Sequence, residues 1–251
     1  MNNLRRPPQF PVIIIPSRIG STRLPGKPLA DINGKPMIAH VLARAVESGL
    51  GPVAVACDDA RVAEAVRQAG GLAVLTKPEH PSGSDRIWEA LNALPDNARY
   101  DAVVNVQGDE PTLDPAAIRK AYGLLQNPEV DIATLAAEIH DDERRHAPQV
   151  VKAVVDVEAG GKQGRALYFS RNPVPSGEGP LYHHVGLYAY RREALARFVA
   201  ARPSPLEQRE KLEQLRALSL GLRIDVALID AVPLGVDTPE DLERARKVLG
   251  G

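Results

Sequence analysis

Short apolar strands alternate with amphipathic helices over the first half of the chain, and this alternation constrains the fold more than any other feature. The pattern predicts strands at residues 12–15, 52–57, 72–75 and 102–106, and helices at 37–48, 60–69, 85–94 and 115–125. The first strand is a short β-branched run without polar residues, which is typical of a strand covered on both faces. Because strands that alternate with helices favour a parallel arrangement, we predict an α/β fold with a doubly wound, mostly parallel sheet.

The alternation of strands and helices ends near residue 131. Strand patterns at 132–139, 151–157, 166–169 and 185–190 follow one another with little helix between them. A helix at 206–220, a strand at 224–229 and a helix at 238–249 then close the chain. Thr238 is the expected cap of the last helix, with Pro239 next and Asp241 as an imperfect capping-box partner. We predict one domain over 1–251, with a smaller antiparallel excursion at about 131–200 inserted within it.

Composition excludes several classes of protein. The 251 residues carry a net charge of −1, so no overall positive field attracts nucleic acid. No apolar run approaches the roughly 20 residues that a membrane span needs. Cys57 is the single cysteine, which excludes an internal disulfide and a multi-cysteine zinc site. We expect a soluble, cytoplasmic protein without a nucleic-acid or membrane partner.

The loop after the first strand, residues 16–28, is the strongest functional feature. Ligands of open α/β sheets bind beyond the carboxyl ends of the strands, where this loop begins. It combines glycines and hydroxyl side chains with Arg18, Arg23 and Lys27, a combination that suits a triphosphate. It is not a Walker A loop, because five residues separate Gly20 from Gly26 and a proline follows Lys27. The G-x-G-x-x-G dinucleotide fingerprint is also missing, and an ordinary solvated loop is the alternative interpretation.

Two carboxylates follow buried strands. Asp109 comes after the strand at 102–106, behind Gln107 and Gly108, and could bind Mg²⁺ together with substrate phosphates. Gly108 permits close approach of the backbone, and Gln107 offers both a donor and an acceptor to a base or sugar. Asp237 precedes the last helix and is a candidate second metal ligand. Each aspartate could instead serve only a helix N-terminus, although Asp114 is the better cap in the first case.

Nine short motifs, in order, extend over nearly the whole chain. They read IPSR at 15–18, STRLPGKPL at 21–29, HPSGSDR at 80–86, NVQGDEP at 105–111, ALYFSR at 166–171, HVGLY at 184–188, PSPLE at 203–207, LEQLR at 212–216 and GVDTPEDL at 235–242. With them the chain resembles the 3-deoxy-manno-octulosonate (Kdo) cytidylyltransferases, also called CMP-Kdo synthetases. The first two stretches together form the family's opening motif, which alone indicates only a sugar nucleotidyltransferase, and the later ones select Kdo. The resemblance implies the nucleotidyltransferase (Rossmann-like) fold.

The resemblance also implies a reaction and a set of site residues. CMP would pass from CTP to the anomeric hydroxyl of Kdo, releasing pyrophosphate, in lipopolysaccharide biosynthesis. By similarity, the residues fall into three groups: Arg18 and Lys27 on the CTP phosphates with Asp109 and Asp237 on Mg²⁺; Thr76, Ser82, Gly83 and Gln107 around the cytidine; and Arg86, Arg171, His184, Tyr188, Glu213 and Gln214 around Kdo. No side chain stands out as a general base. The resemblance further implies a homodimer, with the antiparallel excursion and the helix at 206–220 as its interface.

The chain departs from the family pattern at two places. Ser17 stands where alanine is usual, a small change that we expect to matter little. The stretch 172–181 is shorter than the family norm, which bears on access of the acceptor. Three alternatives stay open at this stage: the 8-amino analogue of Kdo as acceptor, another nucleotide or acidic sugar, and a binding module that has lost turnover.

Overall fold

The computed structural model describes residues 5–250. Its strands are β1 Pro11–Ser17, β2 Asp31–Ile32, β3 Lys35–Pro36, β4 Val53–Cys57, β5 Leu72–Leu75, β6 Ala102–Asn105, β7 Ile132–Glu138, β8 Lys152–Val157, β9 Gln163–Ser170, β10 Tyr182–Arg191 and β11 Ile224–Ile229. Its helices are α1 Met37–Glu47, α2 Ala60–Gln68, α3 Gly83–Ala93, α4 Pro115–Gly123, α5 Asp142–His146, α6 Arg192–Ala200, α7 Pro205–Glu210, α8 Gln214–Ser219 and α9 Pro239–Leu249. The mixed α/β character that the sequence predicts is confirmed.

The chain divides into two compact units. One comprises residues 9–119 and 233–250, and we call it the parallel-sheet unit. The other comprises residues 5–8 and 120–232, and we call it the mixed-sheet unit. Each unit is described by itself below. The single domain with an insertion at about 131–200 stays a prediction.

The parallel-sheet unit contains four parallel strands in the order β5-β4-β1-β6. Residues 12–15 of β1 have no exposed surface, as their β-branched run predicts. Because the strands are parallel, their carboxyl ends meet at one edge of the sheet, and the segments beginning at Arg18, Asp58, Thr76 and Val106 leave from that edge. A doubly wound arrangement of the helices stays a prediction.

The mixed-sheet unit contains five strands in the order β10-β7-β11-β9-β8. Strand β11 is parallel to β7, whereas β10 with β7, β11 with β9, and β8 with β9 are antiparallel. The sequence correctly predicts the change of rhythm in this region. The structure adds two helices, α5 and α6, that the apolar pattern does not predict.

The predicted single helix at 206–220 is wrong. Two short helices, α7 and α8, stand in its place, and Lys211 between them has left-handed backbone angles (φ 56°, ψ 46°). The side chain of Arg171 binds the carbonyl oxygens of Glu210 and Lys211 at 2.8 and 3.2 Å. These long-range bonds occupy carbonyl oxygens that would accept backbone N–H groups in a continuous helix. The helix is therefore interrupted, although the apolar residues keep a helical spacing through the interruption.

The final helix begins as predicted. The Thr238 hydroxyl accepts the Asp241 N–H, the Asp241 carboxylate accepts the Thr238 N–H, and Pro239 follows the cap. Such a capping box stabilises a helix start by about 1 kcal/mol. The capping box also fixes the backbone at Thr238 and therefore the position of Asp237, the residue before it. Over residues 5–250, no helix combines the length and apolarity that crossing a membrane requires.

Candidate active site

A cavity of about 330 Å³ opens at the carboxyl edge of the parallel sheet. Its volume lies at the lower end of the range for small-molecule sites. It is lined by residues of the loop after β1, the start of α3, the segment after β6 and the segment before α9: Pro16, Ser17, Arg18, Lys27, Pro28, His80, Pro81, Ser82, Gly83, Arg86, Gln107, Gly108, Asp109 and Asp237. The structure thus brings together most of the residues predicted for the CTP phosphates, the cytidine and the metal.

The centre of this cavity holds a lysine between two carboxylates. Lys27 Nζ donates to Asp109 Oδ2 at 2.7 Å and to Asp237 Oδ1 at 3.0 Å. The second oxygen of Asp237 lies 3.0 Å from the guanidinium of Arg23. Burial on its own lowers the pKa of Lys27, but the two aspartates outweigh it and raise the pKa above its ordinary value. Lys27 is therefore a fixed positive charge that holds two negative groups at one point.

The loop after β1 is anchored by a residue that the sequence analysis missed. Asp58, directly after β4, accepts the backbone N–H of Ile19 at 2.9 Å and lies 3.4 Å from the guanidinium of Arg86. Arg86 also donates to the Thr76 hydroxyl at 2.6 Å. The only available signal was the position of Asp58 at the end of a predicted strand. The network joins the segments that follow β1, β4 and β5.

The residues predicted around the cytidine lie at this edge. Ser82 caps α3 by accepting the Asp85 N–H, and Gly83 is the first residue of that helix. Thr76, which is 8% exposed, is absent from the cavity wall but binds Arg86 behind it. Gln107 lines the cavity.

A second residue that the sequence analysis missed, Glu89 on α3, fixes the segment before this helix. Its carboxylate accepts the Lys77 N–H at 3.1 Å and contacts Nε2 of His80, which lines the cavity. Burial raises the pKa of Glu89, but the contact with His80 and the Lys77 N–H outweigh burial and lower it below its ordinary value. Its position on the helix, two turns after the cap, gave no signal in the sequence.

The acidic pair fits a magnesium ion. Asp109 and Asp237 already direct one oxygen each at the same cation, the Lys27 ammonium. Carboxylate oxygens are hard ligands, and Mg²⁺ in proteins commonly takes one or two of them together with substrate phosphates and water. Among residues 5–250 no group of three or more His, Cys, Asp or Glu side chains is arranged for a metal. The remaining ligands would therefore come from phosphate and water.

Three of the residues predicted for Kdo meet in the mixed-sheet unit. Tyr188, Glu213 and Gln214 line a small cavity of about 10 Å³, closed by apolar and aromatic neighbours. That volume holds about one water molecule. Burial raises the pKa of Tyr188 well above its ordinary value, and neighbouring Tyr190 and Glu213 add to the effect. Its hydroxyl therefore stays protonated and can donate.

His184 lies beside this group on β10. Its ring packs edge-on against Phe169, with ring centres 5.0 Å apart, and at a tilt against Tyr188, with ring centres 5.4 Å apart. Its Nε2 is 3.1 Å from the Thr134 hydroxyl. Burial lowers the pKa of His184 to about 3, with a further contribution from His183. The imidazole is therefore neutral at pH 7 and can recognise a hydroxyl without a charge.

Arg171 is held by backbone carbonyls. Its guanidinium donates to Glu210 O, Pro148 O and Lys211 O at 2.8, 3.1 and 3.2 Å, while the Glu210 carboxylate accepts the Arg171 N–H at 3.1 Å. A guanidinium has five N–H donors, and these bonds use three of them. Arg86, also predicted for Kdo, lines the cavity of the parallel-sheet unit instead. The six predicted Kdo residues are therefore divided between the two units.

Comparisons with known proteins show the family of the chain. A family model described as Cytidylyltransferase matches residues 12–224. The chain is 64% identical to the 3-deoxy-manno-octulosonate cytidylyltransferase of Rhodospirillum centenum, over 96% of this chain and 94% of the relative. It is 62% identical to the protein of that name from Paramagnetospirillum magneticum, over 95% and 97% of the two chains.

Solved structures are also similar. A CMP:2-keto-3-deoxy-manno-octonic acid synthetase complexed with CTP matches with a TM-score of 0.88 and 41% identity, over 96% of this chain and 98% of the other. A 4-diphosphocytidyl-2C-methyl-D-erythritol synthase from Anaerococcus prevotii shares the fold, with a TM-score of 0.66 at 12% identity, over 97% and 99% of the two chains.

The fold is that of the similar solved synthetase, and the family model over residues 12–224 makes the class of the protein a cytidylyltransferase. Within that class, the chain belongs to the family of 3-deoxy-manno-octulosonate cytidylyltransferases.

Proposed function

We propose that the protein transfers CMP from CTP to the anomeric hydroxyl of Kdo, giving CMP-Kdo and pyrophosphate. One observation carries the proposal: Lys27, Asp109 and Asp237 converge in a cavity large enough for a small molecule, in a chain that matches 3-deoxy-manno-octulosonate cytidylyltransferases over nearly its full length. In the reaction, the anomeric oxygen forms a bond to the α-phosphorus of CTP. The bond from that phosphorus to the pyrophosphate oxygen breaks, and the hydroxyl proton is released.

The parallel-sheet unit would hold CTP. Arg18, exposed at the cavity wall, and Lys27 would bind the triphosphate, and Thr76, Ser82, Gly83 and Gln107 would surround the cytidine. Cationic donors to phosphate oxygens form hydrogen bonds about twice as strong as neutral ones. Thr76 does not line the cavity but accepts a hydrogen bond from the guanidinium of Arg86, which does, so any effect of Thr76 on the cytidine would be indirect. Catalysis of this kind depends on positioning and on stabilising the charge of the leaving group.

Asp109 and Asp237 would hold Mg²⁺ together with the phosphates of CTP. When bound, the ion would neutralise phosphate charge and orient the reacting oxygens. Different local features bring the two aspartates together. The capping box of α9 fixes Thr238, the residue after Asp237. Gly108, the residue before Asp109, allows its segment to approach β1 closely. A Cβ on Gly108 would meet the Pro16 carbonyl oxygen at 2.7 Å, so any other residue would displace Asp109.

The remaining predicted residues would recognise the acceptor. Kdo carries a carboxylate, which suits an arginine, and several hydroxyls, which suit neutral His, Tyr, Gln and ionised Glu. Arg171 has donors beyond the three that its backbone carbonyls take. His184, Tyr188, Glu213 and Gln214 would bind hydroxyls, whereas Arg86, which lines the cavity of the parallel-sheet unit, is proposed for Kdo from the resemblance alone. A cytoplasmic location and a place in lipopolysaccharide biosynthesis are part of the same proposal.

A homodimer is also proposed. Leu167 on β9 and Leu206 on α7 are 55% and 43% exposed, and both belong to the segments predicted as the interface. Size-exclusion chromatography with light scattering distinguishes a mass near 54 kDa from the 27.1 kDa of one chain. A monomer at every concentration tested would contradict this part of the proposal.

The experiment for the whole proposal is pyrophosphate release from CTP with magnesium chloride and Kdo. Reactions without acceptor, with 8-amino-Kdo, with UTP and with GTP are run in parallel. We expect release that requires Kdo and is fastest with CTP. Turnover with the amino sugar alone would change the acceptor and keep the chemistry. CTP binding without pyrophosphate release in the presence of either sugar would favour a binding module that has lost turnover.

A further inference from the structure

Ser17, the last residue of β1, carries a buried hydroxyl for which the described residues provide no hydrogen-bond partner. The residue is 5% exposed, and its Oγ has essentially no solvent contact. Buried polar groups in folded proteins are almost always hydrogen-bonded, because leaving one unsatisfied is costly. Such a group therefore needs either a structural explanation or a ligand.

The position of Ser17 favours a ligand. Ser17 is among the residues that line the cavity in which CTP is proposed to bind, although its Oγ itself has almost no accessible surface. Across from it runs the segment that carries Asp109, and a Cβ built on Gly108 would lie 3.6 Å from Ser17 Cβ. The hydroxyl is thus flanked by the proposed phosphate-binding arginine on one side and by the proposed metal-binding segment on the other.

We propose that, when a cytidine nucleotide binds, the Ser17 side chain turns about its Cα–Cβ bond so that its hydroxyl donates a hydrogen bond to an oxygen of the nucleotide. This inference rests on the proposed function, because it takes the cavity to be the CTP site. It revises the sequence-based expectation that the serine, at a position where alanine is usual, matters little. The hydroxyl is unsatisfied without nucleotide and satisfied with it, so its contributions to folding and to binding have opposite signs.

The opposite signs give a distinctive test with Ser17→Ala. Removing the unsatisfied hydroxyl should leave the melting temperature of the ligand-free protein unchanged or raise it by about 2 °C. The same change should weaken CTP binding by about 3- to 30-fold, measured by calorimetric titration of CTP in magnesium chloride. A merely structural serine would not lower affinity while sparing stability.

Ser48→Ala is the matched control. Ser48 is also a serine of the parallel-sheet unit and is 3% exposed, but its hydroxyl donates to the Ala45 carbonyl oxygen at 2.6 Å. Loss of that satisfied bond should lower the melting temperature by a few degrees and leave CTP affinity at the wild-type value.

A second titration with CMP locates the oxygen. Equal losses for CMP and CTP in Ser17→Ala place the oxygen in the CMP part, and a loss for CTP alone places it on the β- or γ-phosphate. Wild-type CTP affinity in Ser17→Ala overturns the inference, as does a fall in melting temperature like that of Ser48→Ala. Failure of the wild-type protein to bind CTP would instead contradict the proposed function.

Discussion

The two units place their ionisable side chains in opposite electrostatic environments. In the parallel-sheet unit, Lys27 and two aspartates form a cluster of paired charges, which raises the pKa of the lysine. In the mixed-sheet unit, aromatic rings surround His184 and lower its pKa to about 3, so that the group stays neutral. Opposite charges in contact favour ionisation, whereas burial without a counter-charge opposes it. The first environment suits a triphosphate with a divalent cation, and the second suits the hydroxyls of a sugar.

This contrast predicts that variants of the two units fail differently. Variants of the charged cavity should lose chemistry or CTP affinity. Variants beside the aromatic cluster should lose acceptor affinity or change the response to pH, while CTP affinity stays at the wild-type value. The predictions below break or sharpen the comparison.

The largest effect is expected for Asp237→Asn. The substitution keeps the size of the side chain but removes one of the two carboxylates on Lys27, so kcat should fall by at least about 100-fold. Steady-state pyrophosphate release measures it, and thermal unfolding should show that the fold persists. Glu240→Gln, an exposed carboxylate on α9, is the control and should keep wild-type turnover. A variant that melts early yet turns over normally would contradict the assignment.

His184→Gln should change stability in acid. The pKa of His184 is about 3 in the folded protein and about 6.5 in the unfolded chain. Between these pH values the unfolded chain binds more protons, so the free energy of unfolding decreases as the pH is lowered. At pH 5 this cost is about 2 kcal/mol, and the variant should lose that part of the decline. Melting temperatures at pH 7 and pH 5 measure the difference. The exposed His146, changed to Gln, should leave the decline intact, and a decline identical to wild type in His184→Gln would refute the buried neutral imidazole.

Glu213→Gln should affect the acceptor alone. The substitution keeps shape but removes the charge beside Tyr188, so KM for Kdo should rise by about 10-fold while KM for CTP stays constant. Varying each substrate at saturation of the other separates the two constants. Tyr182→Phe, on the same strand as Tyr188 but outside the small cavity, should leave both constants unchanged. An equal rise in KM for CTP would erase the distinction between the units.

The smallest effect is expected for Glu89→Gln. The neutral side chain can still accept the Lys77 N–H, but it holds His80 less strongly, so the segment before α3 should loosen. KM for CTP should rise by about 3-fold, with KM for Kdo unchanged. Glu79→Gln, an exposed carboxylate of the same segment, is the control. A change in KM for Kdo instead would place the effect outside the nucleotide cavity.

The same contrast explains what the sequence could predict. In the parallel-sheet unit, Lys27, Asp109 and Asp237 each follow or precede an element with a clear pattern, and parallel strands bring their carboxyl ends to one edge. The meeting of Lys27 with Asp109 therefore follows from local patterns and one topological rule, whereas Asp237 was paired with Asp109 from its position before α9 and from the family resemblance. Asp58 and Glu89 were missed because their partners, Ile19 and His80, lie on other segments and leave no periodic signal.

The mixed-sheet unit was less predictable for a related reason. Its helix break at Lys211 depends on Arg171, which lies 40 positions earlier in the chain. Its pairings include parallel and antiparallel neighbours, so strand order did not follow from the alternation of elements. The Kdo residues were named by resemblance to a family, and periodicity alone would not have selected them.

The central claim is that the parallel-sheet unit binds CTP and that the mixed-sheet unit recognises the acceptor. It is tested most directly by titrating CTP, in magnesium chloride and without Kdo, into two variants. Lys27→Met removes the ammonium that is proposed to bind the triphosphate, whereas Glu213→Gln alters only the mixed-sheet unit. The account predicts at least about a 10-fold loss of CTP affinity in Lys27→Met and wild-type affinity in Glu213→Gln. Comparable losses in both variants, or none in Lys27→Met, would contradict it.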